Sequence, residues 1–191
     1  MNLVVGGSSA GGHLAAIVAQ RCVAIRIPLK LQILTVPVTD LTALDDSWNL
    51  QPDCPYKSYL ENANAPCLPL ERMQFFVRHF LGEKMPHQPR PANPAILSPA
   101  VELSPIKAES VKGLAPALIS VAEIDILRDE GIAYARKLEA DGVPVKLRQY
   151  MGVPHIFALM DAVLPEAKEY LQDCCDELKK AFGLSSECDC T

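Results

Sequence analysis

Ser9, Asp125 and His155 have the types and the chain order that acyl-transfer chemistry needs. A serine hydroxyl attacks weakly until a neighbouring imidazole takes its proton. The imidazole in turn needs a carboxylate to fix its tautomer and stabilise its positive charge. Ser9 lies in Gly7-Ser8-Ser9-Ala10-Gly11. This stretch fits a Gly-x-Ser-x-Gly turn only with Ser9 at the apex, because a register on Ser8 puts Ala10 where the second glycine belongs. Val4 and Val5 before the turn read as a buried strand, and Leu14, Ala15, Ile17, Val18 and Cys22 after it recur at helical spacing. The glycines suit a strained apex where the helix must pass close to the strand. Asp125 follows the apolar run 115–122, and His155 follows the run 143–150. Each is therefore expected in a loop just beyond a strand's carboxyl end, in the order serine, acid, histidine.

The elements that must hold these residues alternate along the chain. A helix over about 12–25 is followed by an apolar strand over 29–36 that Pro37 ends. Residues from about 41 to 95 carry most of the prolines and Trp48. The spacing there predicts one helix over 70–81 with Phe75, Phe76, Phe80 and Leu81. That aromatic cluster suits either ordinary core or the apolar wall of an acyl pocket. After the strand 115–122, Asp129 opens a helix with Ile132, Ala135 and Leu138 on one face and Gly142 as its stop. The strand 143–150 follows. A final helix begins at Pro165, and Gly183 lies just past its end. Strands alternating with helices predict an α/β fold, a mainly parallel sheet with flanking helices. The expected organisation is one domain over 1–183 with a cap-like insertion at about 41–95, and a tail over 184–191.

Composition narrows the function. Of 191 residues, 49 % are hydrophobic and 21 % charged, an ordinary globular balance, and the formal charge of -5 leaves no basic stripe for nucleic acid. The seven cysteines have no Cys-x-x-Cys spacing, which fits reduced thiols and a cytoplasmic location. No apolar run approaches the roughly 20 residues of a membrane span. No cofactor or metal is expected. His13 reads as a partly buried helix residue, His79 and His87 as surface residues, and Asp129 and Glu130 as acids favouring a helix N-terminus. Asp45 and Asp46 read as a solvated loop, and Cys188 and Cys190 as part of the tail.

Four segments taken together resemble a known family: Gly7-Ser8-Ser9-Ala10-Gly11-Gly12, Val36-Pro37-Val38-Thr39-Asp40, residues 122–131, and Gly152-Val153-Pro154-His155-Ile156-Phe157. They are similar to the hormone-sensitive-lipase-like branch of the α/β-hydrolases, which includes carboxylesterases and arylacetamide-deacetylase-type enzymes. The resemblance implies Ser9 as nucleophile, His155 as general base, Asp125 as the acid that orients it, and the backbone N–H of Ala10 as an oxyanion donor. It implies cleavage of small or medium acyl esters through an acyl-enzyme. Ser8 stands where family members usually carry aspartate. The family's His-Gly-Gly-Gly loop has no counterpart, so the chain matches the C-terminal half of such an enzyme. Low turnover by these residues alone is expected, as is self-association through an open edge strand. The alternative is an inactive hydrolase-fold fragment or a small-molecule-binding pseudoenzyme, as in the related gibberellin receptors that lack the histidine.

Overall fold

A parallel four-stranded sheet in the order β1-β2-β3-β4 organises the computed structural model, which describes residues 2–81 and 99–184. The strands are β1 Val4–Ser8, β2 Leu31–Thr35, β3 Ala117–Ile124 and β4 Val145–Pro154. The longer helices are α1 Ala10–Ala24, α3 Leu70–Leu81, α5 Arg128–Ala140 and α6 Pro165–Phe182, with short helices α2 Ser58–Glu61 and α4 Pro99–Leu103. All three strand pairs are parallel and pair in sequence order, so each connection is a crossover. The two central strands are buried on both faces, as their continuous apolar runs require.

Three apolar clusters hold the layers together. On one face, Ala15, Ala16 and Ala19 of α1 and Tyr134 and Leu138 of α5 pack on Leu34, Ile119 and Val121. On the other, Ala167 and Tyr170 of α6 join Val36, Ala122, Tyr150 and Phe157. A third cluster lies over the carboxyl ends of the strands, where Leu41, Trp48, Tyr59, Met73 and Val77 of the insertion close on Ile126 and Leu127. The insertion thus has its core built on the turn that follows β3. Residues 82–95 of the expected insertion and the tail beyond Leu184, with Cys188 and Cys190, lie outside the described residues, as does His87.

Two glycines set how closely α1 and α5 approach the sheet. A Cβ on Gly12 of α1 would lie 3.0 Å from Pro37 Cβ. One on Gly131 of α5 would lie 2.8 Å from Val121 Cγ1 and 3.6 Å from Pro37 Cδ. Glycine at 12 lets α1 close on Pro37, and glycine at 131 lets α5 close on Val121 of β3.

One element bound differs from expectation in an informative way. β4 runs on past Tyr150 to Pro154, so His155 follows the strand directly. Gly152 at φ 70 and a register irregularity opposite Ala122 and Ile124 allow the continuation. The Gly152 N–H, freed from the ladder, donates to Glu123 Oε2 at 2.7 Å. Read from sequence, the strand covers the run 143–150.

Candidate active site

The sharp turn at Ser9 begins with its backbone. Ser9 has φ 57 and ψ −119, a sparsely populated conformation for a residue with a side chain. Such a residue costs on the order of 1–3 kcal/mol and persists only when its surroundings over-determine it. Here its N–H donates to Thr35 O at 2.9 Å, and its carbonyl accepts the His13 N–H at 3.0 Å as the first bond of α1. The sheet and the helix therefore hold Ser9 from opposite sides. A Cβ on Gly7 would meet the Gly11 backbone at 2.3 Å, whereas a Cβ on Gly11 meets nothing within 4 Å. The close approach is thus made at Gly7 and Gly12, and Gly11 contributes only backbone to it.

Ser9, His155 and Asp125 come together at the carboxyl end of the sheet. Ser9 Oγ lies 2.8 Å from His155 Nε2, and His155 Nδ1 lies 2.7 Å from Asp125 Oδ2. A carboxylate accepts, so Nδ1 carries the proton and Nε2 is left to accept the serine hydroxyl. Asp125 is 1 % exposed and His155 5 %, which shields the pair from competition by water. The second carboxylate oxygen, Oδ1, accepts the Leu127 N–H at 3.0 Å, fixing the carboxylate plane.

A cleft of about 370 Å³ opens over Ser9 and Ala10. Leu41, Leu68, Met73, Phe76, Val77 and Phe80 supply most of its wall. Phe75, Phe76 and Phe80 are all more than half exposed. They are not core: Phe76 and Phe80 face the cleft, and Phe75 packs on the His79 ring 4.0 Å away. His13 is more buried than its sequence position suggested, and it lines the same cleft. Its Nδ1 lies 3.1 Å from Val38 O, so Nδ1–H donates there. Burial holds the imidazole below its ordinary range, against the pull of that carbonyl. Among the described residues, no group of three His, Cys, Asp or Glu side chains is arranged to hold a metal ion.

Glu130 has a different place from the one its sequence position implied. It does not face solvent at a helix N-terminus; it is 0 % exposed beneath the insertion. Its carboxylate accepts the Thr39 N–H at 2.6 Å, the Asp40 N–H at 3.3 Å and the Tyr59 hydroxyl at 2.7 Å. Burial nevertheless pushes the carboxyl up to about 8, outweighing those donors. In the unfolded chain the group returns to the ordinary carboxyl range near 4.5. Between these values the unfolded state releases a proton that the folded state keeps, so stability falls as pH rises through this window. Urea unfolding at about pH 5 and about pH 8 should show the decline, and Glu130→Gln, which preserves shape and removes the titration, should flatten it. Equal slopes in the two proteins would show that Glu130 does not set this dependence.

Sequence reasoning also missed Asp40, Ser58 and Asn62. Asp40 takes the Tyr56 hydroxyl at 2.7 Å and Lys107 Nζ at 3.1 Å. Its place in Val36-Pro37-Val38-Thr39-Asp40 was the available signal. Ser58 and Asn62 lie in an irregular stretch whose partners are more than 60 residues away, and nothing local marks them.

Comparison with known proteins identifies relatives of this fold. A family model described as alpha/beta hydrolase fold matches residues 1–159. An AB hydrolase superfamily protein of Schizosaccharomyces pombe is 37 % identical over 186 residues, covering 95 % of this chain and 49 % of that protein. Esterase LipI of Mycobacterium tuberculosis is 36 % identical over 168 residues, covering 87 % of this chain and 46 % of the esterase. Among solved structures, a thermostable esterase from Pseudomonas putida superposes with a TM-score of 0.75 at 34 % identity, covering 97 % of this chain and 52 % of the other. The chain spans about half the length of the curated relatives it matches.

Proposed function

Because the chain belongs to the alpha/beta hydrolase fold family, we propose that its site is that of a carboxylic ester hydrolase, with Ser9 as nucleophile, His155 as general base and Asp125 as the orienting acid. The observation that supports this reading most is the unbroken row from Ser9 Oγ through both imidazole nitrogens to Asp125. Ser9 Oγ attacks the ester carbonyl carbon as its proton passes to His155 Nε2. The imidazolium then protonates the leaving alcohol, and a water activated by the same nitrogen releases the acid from Ser9. Ala10 is the first residue of α1, so its N–H has no acceptor within the helix and is the donor for the oxyanion. The helix N-terminus adds a favourable partial charge there.

The cleft supports small and medium acyl groups: its wall is apolar, and about 370 Å³ is near the lower end for small-molecule sites. p-Nitrophenyl acetate and butyrate should be hydrolysed with kcat/KM at least about tenfold above that for the palmitate ester. Turnover of palmitate equal to butyrate would contradict the acyl assignment, and hydrolysis of none of the three above the Ser9→Ala background would contradict the enzyme. The second reading is an inactive hydrolase-fold fragment or a small-molecule-binding pseudoenzyme. The half-length match to relatives favours it. A short ester bound by folded protein and recovered intact would be its signature.

The proposal includes self-association along β1, an edge strand whose Leu3 and Ser9 bonds to β2 leave the groups of Val4, Gly6 and Ser8 directed outward. Val18 of α1 and Ile25 just after it are also exposed. Sedimentation should report a dimer or larger species that Val4→Pro shifts to monomer, since proline removes a donor on the open side only. No helix among the described residues is long and apolar enough to cross a membrane. A cytoplasmic location belongs to the same reading, on the irregular spacing of the cysteines.

A further inference from the structure

We propose that Asn62, at the end of the one-turn helix α2, is a positioning residue that holds the acid of the triad in register with His155. The inference rests on the reading of Ser9, His155 and Asp125 as one catalytic row. The segment that presents Asp125 runs from the last residues of β3 to the start of α5, and its backbone carbonyls are reached by side chains of the insertion. Asn62 Nδ2 donates to two of them, Glu123 O at 3.1 Å and Asp125 O at 3.0 Å. Ser58 Oγ donates to a third, Ile126 O, at 2.7 Å.

The same strap is bolted to the start of α5. The Ser58 N–H donates to Asp129 Oδ2 at 2.9 Å, and the Asp129 N–H donates back to Ser58 Oγ at 3.2 Å. Arg128 spans Glu61 Oε2 at 2.6 Å and Asp129 Oδ1 at 2.8 Å. Arg128 adds a bond from Nη1 to Glu123 O at 3.2 Å and from its backbone N–H to Asp125 O at 3.3 Å, and among the described residues Asn62 is the side chain that grips the backbone of Asp125 itself. Oδ2 must stay within 2.7 Å of Nδ1, so a small rotation of this peptide separates acid from base. A misplacement of about 1 Å can cost about 10²-fold in rate. The insertion therefore shapes the cleft on one side and, through Asn62, aims the acid on the other.

The test uses Asn62→Asp, which keeps the shape and loses both donors, with Asn62→Ala as a second variant. Gln51→Ala serves as control: Gln51 Nε2 bonds Thr42 O within the insertion and does not reach the acid. Two quantities are read: kcat and KM for p-nitrophenyl butyrate, and the proton NMR resonance of His155 Nδ1–H, assigned by its loss in Asp125→Asn. For both Asn62 variants kcat should fall about 10- to 100-fold with KM within about twofold. The Nδ1–H resonance should shift upfield or broaden. Gln51→Ala should leave both unchanged. An unaltered resonance in both Asn62 variants overturns the proposal, as does equal damage in Gln51→Ala. If the wild-type chain hydrolyses no ester yet the resonance responds to Asn62, the positioning role stands and the hydrolase reading falls. If no resonance in the wild type depends on Asp125, both fall.

Discussion

Ser9→Ala and His155→Ala are each expected to reduce ester hydrolysis to the same residual level, and the double variant to no less. The hydroxyl and the imidazole act as one unit through the 2.8 Å contact, so removing either removes the proton transfer that both serve. Independent contributions would multiply instead. For triads of this type, loss of one member lowers kcat by about 10⁴-fold or more. Asp125→Asn should lower kcat by a comparable factor of about 10⁴, for a different reason. With its oxygen still held by the Leu127 N–H, an amide at this position presents its N–H₂ to Nδ1, which must then accept, so the proton moves to Nε2, facing Ser9. The Leu127 N–H bond to Oδ1 keeps the replaced side chain in place, so the loss is electronic and tautomeric rather than structural. Steady-state kinetics with p-nitrophenyl butyrate on the wild type and the four variants distinguishes these outcomes. Additive losses in the double variant would contradict a coupled row.

The second large effect concerns stability. Gly7→Ala should lower it by about 3 kcal/mol or more, at the upper end for overpacking, because the new Cβ falls 2.3 Å from the backbone C and O of Gly11. Backbone on both sides cannot rotate away as a side chain would. The turn must open or α1 must move off the sheet. Gly11→Ala meets nothing within 4 Å and replaces a helical glycine, so it should be neutral or stabilising by up to about 1 kcal/mol. For a chain of this length these changes correspond to a melting shift of about −10 °C for Gly7→Ala and a few degrees upward for Gly11→Ala. Thermal unfolding by circular dichroism decides between them. Equal sensitivity at the two glycines would mean that the elbow requires its sequence pattern for a reason other than close approach.

The residues that make the site were legible where local chemistry and element order suffice. Ser9 stands out because an apolar strand, two glycines and a helical pattern bracket it, and those constraints reappear in its φ of 57 and its two backbone bonds. Helix α3 has the bounds its aromatic spacing implied, and α6 begins at Pro165 and ends on Gly183 in the left-handed region, as the proline and glycine indicated. What escaped depends on contacts between distant segments. Glu130 looks like a helix-start acid because Asp129 beside it is one; only the arrival of Tyr59 and the Thr39 N–H shows that it is buried. Asn62 ends a helix of four residues, too short to leave a periodic signal. The length of β4 was misread for a related reason, since the bond from Gly152 to Glu123 that carries the strand onward joins residues 29 apart.

Mass spectrometry after exposure to a fluorophosphonate probe tests the central claim most directly, because the probe reacts only where a serine is activated in an assembled site. The expected result is one adduct per chain, mapped to Ser9 and absent from Ser9→Ala and His155→Ala. Folded protein that takes up no probe, or takes it up at another residue, would contradict the reading of Ser9, His155 and Asp125 as a working catalytic row.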